Sequence, residues 1–296
     1  MNQTRLAGCG TALVTPFAND GEVDEPALRS LVEWQIEEGV DFLVPLGSTG
    51  EAATLTPVEQ RRVVEIVVER AGGRVPIVAG AGSNDTRRAV AASRAMSEIG
   101  VTHLLHVAPM YNRPPQRGIV QHFRTIVEAT DLPVIVYNVP GRTGCNIAAE
   151  TALEIAELPN VAGIKEASGD LAQIAEILRH RPAQFSVLSG DDALTLAVME
   201  AGGDGVISVV SNATPRAMAD LVGRCLAGNH AAAHEVDERL EPWMRAAFVE
   251  SNPIPVKAAL SMIGRVCNVL RLPLVPLEER YYPMVRASLV HAGALS

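Results

Sequence analysis

The chain holds only two lysines, Lys165 and Lys257; nearly all its other positive charge is arginine. Lys165 lies in Val161-Ala-Gly-Ile-Lys-Glu-Ala-Ser168, a short apolar run that reads as a strand. Arginine stays protonated and cannot form an imine. A lysine desolvated among Val, Ile and Ala can lose its proton near neutral pH and attack a carbonyl. A strand lysine can also be a water-facing strand end or half of an ion pair, and for an isolated strand that is the commoner role. What decides is whether other groups suited to carbonyl chemistry converge on it. Tyr137 is either a barrel aromatic with a satisfied hydroxyl or a phenol that moves protons to and from a carbinolamine. Gly47-Ser-Thr-Gly50 is either a turn with local hydroxyl bonds or an anion nest of N–H groups beside the Ser48 and Thr49 hydroxyls. Arg142 comes after the turn-forming pair Pro140-Gly141 and either binds a carboxylate or makes a surface salt bridge. Asp191-Asp192 has the look of a metal pair, but a helix N-cap is the commoner use of such residues. His103 and His106, three apart in one strand, face opposite ways and are not a metal pair.

The elements that must position these groups are short apolar runs alternating with amphipathic segments from about residue 9 to 227. The predicted strands are Gly10–Phe17, Phe42–Gly47, Pro76–Gly80, Thr102–Ala108, Pro133–Val139, Val161–Ala167, Phe185–Ser189 and Gly205–Val210. Helix starts are marked at Thr56-Pro57 with Glu59 close behind, at Asn84-Asp85, at Ser168-Gly-Asp170 and at Thr214-Pro215. A βα unit repeated eight times, with near-continuous apolar strands, predicts an α/β fold with a parallel sheet closed into a (β/α)8 TIM barrel. An open doubly wound sheet is the alternative, but no GxGxxG opens the first helix. The barrel is placed at residues 1–228 and a helical appendage at 229–296, with helical segments His230–Val249, Ile254–Val266 and Leu277–Ala292. The appendage is expected to cover barrel helices or build a subunit contact and to carry no chemistry; Trp243 and Tyr281-Tyr282 read as packing residues.

Barrel active sites lie at the C-terminal ends of the strands, so the residues just beyond each strand are informative. Gly47-Ser-Thr-Gly-Glu51 ends the second strand, Pro109-Met-Tyr-Asn-Arg113 the fourth and Tyr137-Asn-Val-Pro-Gly-Arg-Thr-Gly144 the fifth. The sixth carries Lys165, the seventh ends in Ser189-Gly-Asp-Asp192 and the eighth in Ser211-Asn212. Two of the four tyrosines, Tyr111 and Tyr137, fall on this face beside the strand lysine. That convergence makes Lys165 the candidate nucleophile.

At 296 residues and 48% hydrophobic, the chain has the composition of a soluble globular protein, and its apolar runs are too short to span a bilayer. Met1-Asn-Gln-Thr-Arg-Leu has no hydrophobic signal core. Cys9, Cys145, Cys225 and Cys267 form no metal spacing, and scattered thiols suit the cytoplasm. A net charge of −9 without a basic run argues against nucleic acid and anionic membrane as partners.

Gly47-Ser-Thr-Gly-Glu51, Tyr137-Asn-Val-Pro-Gly-Arg-Thr-Gly144, Gly163-Ile-Lys-Glu166 and Asn252-Pro-Ile-Pro-Val-Lys257 together resemble the pyruvate-dependent class I aldolase superfamily, which includes N-acetylneuraminate lyase. Within it they are most similar to the dihydrodipicolinate synthase family, over about residues 6 to 290. The resemblance implies an imine of pyruvate on Lys165, with L-aspartate 4-semialdehyde as second substrate and no metal or organic cofactor. It implies Tyr137 as general acid/base, Ser48 and Tyr111 as a proton relay with Tyr111 reaching a neighbouring subunit's site, Thr49 on the pyruvate carboxylate and Arg142 on the semialdehyde carboxylate. It further implies Gly190 and Ile207 as backbone lining of the pyruvate pocket, and a homotetramer built from two dimers. Ser48 is a departure, since the synthases most often have threonine there and sialic acid lyases have serine. The alternative is a related aldolase for a 2-keto-3-deoxy sugar acid, N-acetylneuraminate or 4-hydroxy-2-oxoglutarate, or else a non-catalytic keto-acid-binding barrel. Where some members bind inhibitory lysine through a glutamate, two histidines and a tyrosine, this chain has Arg88, Pro57, Gln60 and Met110, which implies weak or absent inhibition.

Overall fold

The computed structural model describes residues 5–295; Met1–Thr4 of the N-terminal stretch and Ser296 lie outside the described residues. Eight parallel strands form the centre: β1 (Gly8–Ala12), β2 (Phe42–Val44), β3 (Val78–Gly80), β4 (His103–Val107), β5 (Val134–Asn138), β6 (Val161–Glu166), β7 (Ser186–Ser189) and β8 (Gly205–Ser208). Their order is β2-β1-β8-β7-β6-β5-β4-β3. A parallel bridge between Leu43 and Ile77, with the Leu43 N–H donating to Pro76 O at 3.0 Å, closes the ring between β2 and β3. The fold is a (β/α)8 barrel.

Around it run α1 (Glu25–Glu37), α2 (Pro57–Ala71), α3 (Thr86–Ser97), α4 (Gln116–Val127), the single turn α5 (Pro140–Thr143), α6 (Ala149–Ala156), α7 (Leu171–His180), α8 (Thr195–Glu200) and α9 (Pro215–Leu226). The expected starts are present. Thr56 and Glu59 form a reciprocal capping box on α2, and the Asp85 and Asp170 side chains cap α3 and α7. Thr214 precedes α9 without capping it, because its hydroxyl donates to Val210 O.

Alternation along the strands separates two cores. Phe42, Val44, Leu105, Ile135, Leu188 and Ile207 point inward and fill the barrel, which is therefore packed and not a pore. Residues on the other face meet the helices. The first strand ends at Ala12 and not at Phe17 as its apolar run suggests. Leu13 to Phe17 stay buried as a loop: the Val14 N–H donates to Asn212 Oδ1 and the Thr15 hydroxyl to Gly50 O, and Phe17 lies under the Lys257 ammonium, 4.0 Å from its ring centre. Hydrophobicity alone does not separate a strand from a buried loop.

His106 faces outward into the layer between β4 and α3, its Nε2 3.1 Å from Ser93 Oγ, while His122 of α4 lies nearby with Nδ1 2.9 Å from Thr86 Oγ1. Burial holds His106 at about 3 and His122 at about 4, both far below the ordinary 6.5. Since the folded values lie below the unfolded one, the unfolded chain binds more protons as pH falls below 6.5, and stability drops across that window. At pH 5 the loss is on the order of 2 kcal/mol for each histidine. Thermal melting at pH 7.5 and pH 5 measures it: Tm falls in acid for the parent and falls less for His106→Asn. An equal fall in both would show that these histidines do not set the acid limit.

After α9 come α10 (His230–Ala246), α11 (Ile254–Met262) and α12 (Tyr282–His291). Trp243 of α10 is fully buried and donates its indole N–H to Val210 O at 3.2 Å. The last helix begins at Tyr282 and places Pro283 in its first turn, where proline costs no hydrogen bond. Among the described residues, no helix is long and apolar enough to cross a membrane.

Candidate active site

The C-terminal ends of the strands open into a cavity of about 520 Å³. Lys165 lies on its floor, 5% exposed, on the inward face of β6. Parallel register sets Tyr137 of β5 directly beside it, and the Lys165 Nζ lies 4.4 Å from the centre of the Tyr137 ring. Desolvation holds the amine at about 8, below its ordinary 10.5; the buried Asp192 carboxylate opposes that shift and the Arg142 guanidinium assists it. Desolvation drives the Tyr137 phenol the other way, up to about 12, with Arg142 opposing. The pair is therefore an amine that is partly free near neutrality beside a phenol that keeps its proton. Gly190 lets the lysine stem pass: a Cβ there would lie 3.0 Å from Lys165 Cε and 2.7 Å from Ala167 Cβ.

The same desolvation acts on Lys257, also held at about 8, so acidity does not choose between the two lysines. Geometry does. Lys257 is completely buried outside the cavity, with its Nζ 2.5 Å from Glu51 Oε1 and donating to Val269 O at 2.9 Å. No carbonyl substrate reaches it.

The Gly47–Glu51 turn forms the rim over β2. Gly47 O and Ser48 O accept from the Gly50 and Glu51 N–H groups at 3.1 Å each. Thr49 is buried, and its Oγ1 accepts from the Asn252 amide at 2.8 Å, which leaves the hydroxyl hydrogen to donate elsewhere. Ser48 is exposed and lines the cavity. Arg142 sits on α5, a turn closed by Gly144 in the left-handed region, and borders the cavity. Its Nη2 donates to Asn252 O at 3.3 Å, and among the described residues no carboxylate pairs with it.

The Ile207 side chain packs in the barrel core, and Val209, two residues on, lines the cavity. Tyr111 is 89% exposed, in a left-handed conformation with φ of 73°, and does not line its own cavity. The appendage is not without a part in the site, because Met244, Arg245, Phe248 and Asn252 all line the cavity. Asp191 caps the turn after it, accepting from the Ala193 N–H at 3.1 Å. Asp192 is buried and accepts from the Val209 and Val210 N–H groups at 2.9 and 3.2 Å. Burial raises its carboxyl to about 6. Among the described residues, no group of three or more His, Cys, Asp or Glu side chains is placed to hold a metal ion.

Fold and site together define a (β/α)8 barrel whose strand-end cavity holds a desolvated strand lysine facing a tyrosine, with arginine and a hydroxyl-bearing turn at the rim. The chain belongs to the Dihydrodipicolinate synthetase family, which it matches over residues 5–292. It is 47% identical over 297 residues to the 4-hydroxy-tetrahydrodipicolinate synthase of Prosthecochloris aestuarii, covering 100% of both chains. Its fold superposes with a TM-score of 0.96 on the chloride-inhibited dihydrodipicolinate synthase of Acinetobacter baumannii complexed with pyruvate, at 41% identity, covering 98% of this chain and 99% of that one. The lysine-bound DHDPS of Cyanidioschyzon merolae superposes equally well, with a TM-score of 0.96 at 40% identity, covering 99% and 100%.

Proposed function

We propose that the chain condenses pyruvate with L-aspartate 4-semialdehyde to 4-hydroxy-tetrahydrodipicolinate, the entry to lysine and diaminopimelate biosynthesis, as a lyase of the class I aldolase kind. The observation that carries this reading is Lys165: an amine desolvated to about 8, open to the cavity, beside Tyr137 and near an arginine that, among the described residues, no carboxylate pairs with. The amine attacks the pyruvate carbonyl carbon. Tyr137 delivers a proton to the departing hydroxyl, water leaves, and the imine forms. Loss of a proton from the methyl carbon gives an enamine, with the imine nitrogen as electron sink, so the reading calls for no metal or organic cofactor. The enamine carbon adds to the aldehyde. The semialdehyde's own amine then displaces Lys165, which closes the ring and frees the enzyme.

Thr49, with its hydroxyl hydrogen uncommitted, is suited to the pyruvate carboxylate, and Arg142 to the semialdehyde carboxylate. Gly190 and the end of β8 supply backbone walls. Ser48, exposed and lining the same cavity as Tyr137, is suited to relay protons to solvent. The exposed Tyr111 hydroxyl completes the relay in a neighbouring subunit, within a homotetramer; this supports assembly as a condition of full activity. Four free cysteines fit a cytoplasmic setting. The test is turnover with pyruvate and either L-aspartate 4-semialdehyde or pyruvate-releasing sugar acids such as N-acetylneuraminate. Turnover with the semialdehyde alone supports the reading; turnover only with sugar acids replaces it.

A second cavity of about 550 Å³ shares Ser48 and Tyr137 with the first and is lined by Gln60, Arg88 and Met110, while Pro57 stands outside it. A guanidinium here repels the ammonium of a bound lysine and no carboxylate of the lining answers it. Inhibition by lysine should be weak, with a constant above about 1 mM, roughly 4 kcal/mol of binding. Initial rates at increasing lysine check this, and Arg88→Glu should strengthen inhibition. A constant well below a millimolar in the parent contradicts it.

A further inference from the structure

We infer that the buried pair Glu51–Lys257 is a positioning device for the keto-acid carboxylate site, through which the C-terminal region sets the turn carrying Thr49. The inference rests on the pyruvate reading above. Glu51 is the last residue of the rim turn, buried, and held in the left-handed region at φ of 51°, a conformation that a non-glycine residue keeps only when its surroundings fix it. Its Oε1 takes no directed hydrogen bond, and its counter-charge is the Lys257 ammonium at 2.5 Å. Its Oε2 accepts from the main-chain N–H of Arg271 at 3.1 Å, while the Arg271 guanidinium pairs with Glu59.

Both partners of Glu51 come from the C-terminal region. Lys257 is on α11, donates to Val269 O and lies over Phe17; Arg271 lies beyond that helix, donates to Thr54 O at 3.0 Å and to Gly21 O at 2.9 Å, and lies over the same ring at 4.5 Å. One face of the rim turn is thus bound to one short stretch of chain. Five residues before Lys257, Asn252 leads into α11 and bonds Thr49 Oγ1 and Arg142 Nη2. The helix and the residue leading into it therefore make two attachments to the turn, a buried charge pair at Glu51 and an amide at Thr49. Between them they fix where the Thr49 hydroxyl points.

A pair used only for stability is a poor choice here, because two buried charges cost desolvation that an apolar pair avoids. What the charges add is a definite geometry. Loosening it should impair ground-state capture of the keto acid more than the chemistry at Lys165, since that amine stands on a different strand.

The test uses Glu51→Asp, which keeps the charge but withdraws it by one methylene, and the double variant Glu51→Gln/Lys257→Met, which leaves no unpaired buried charge. Steady-state kinetics and trapping of bound pyruvate by borohydride at increasing pyruvate are read for parent and variants. The expected result is half-saturation by pyruvate raised about tenfold in both variants, with kcat and the half-saturation for the second substrate changed by less than about threefold. A folded double variant with the parent's pyruvate half-saturation overturns the inference. So does failure of both variants to fold, which assigns the pair to the fold alone. If the parent itself traps no pyruvate on Lys165, it is the pyruvate reading that fails.

Discussion

Lys165→Met should lose turnover by on the order of 10⁴-fold or more, because the variant has no amine with which to enter the covalent route; each factor of ten corresponds to about 1.4 kcal/mol of barrier. The same substitution should stabilise the fold. The folded protein holds this amine at about 8 against an ordinary 10.5, so below pH 8 the buried site bears the full cost of keeping an ammonium, and the cost disappears only above 10.5. At pH 7 that cost is on the order of 3 kcal/mol, and methionine removes it while filling the same space. Activity lost and Tm gained is a combination that a merely structural lysine would not give. The parent's pH dependence comes from the same value: about 9% of the amine is neutral at pH 7, against roughly 0.03% for an ordinary lysine. The rate of adduct formation should therefore rise with pH and level off above about 8. Stopped-flow or quenched measurements of imine formation between pH 6 and 9.5 check it; a rate still rising tenfold per pH unit at 9.5 would show an amine of ordinary basicity.

Tyr137→Phe is the second large effect. The phenyl ring keeps the packing beside Lys165 and loses only the hydroxyl, so Tm should change little while kcat falls by about 10² to 10⁴-fold, the range for loss of a positioned acid/base. Because burial holds the phenol near 12, it stays protonated across the working range and acts first as a donor, so dehydration of the carbinolamine should slow most. Trapping in single-turnover experiments would show pyruvate captured slowly but still on Lys165. A variant within threefold of the parent would remove Tyr137 from the chemistry and leave it as a wall of the cavity.

The groups at strand ends were legible because the barrel brings successive strand ends to one mouth, so Lys165, Tyr137, Thr49 and Arg142 could be grouped from order alone. Strand-end position did not reveal direction. Tyr111 lies just past β4 as Tyr137 closes β5, yet a left-handed residue turns Tyr111 out to solvent. Nor did it fix depth: the Ile207 side chain packs in the barrel core, while Val209, two residues on, lines the cavity. Asn252 could not be found this way at all. It lies beyond the last strand, next to prolines, and gains its place in the site only through packing of α11 onto a turn 203 residues earlier. Lys257 shows the converse. Its scarcity and shifted basicity resemble those of Lys165, and only the third dimension, with Glu51 against its ammonium, sets it apart.

The most direct measurement is reduction of the protein with borohydride in the presence of pyruvate, then intact and peptide mass determination. A single reduced pyruvate adduct on the peptide containing Lys165, absent from Lys165→Met, is the predicted result. No adduct, or an adduct on Lys257, would contradict the assignment of the nucleophile and with it the proposed reaction.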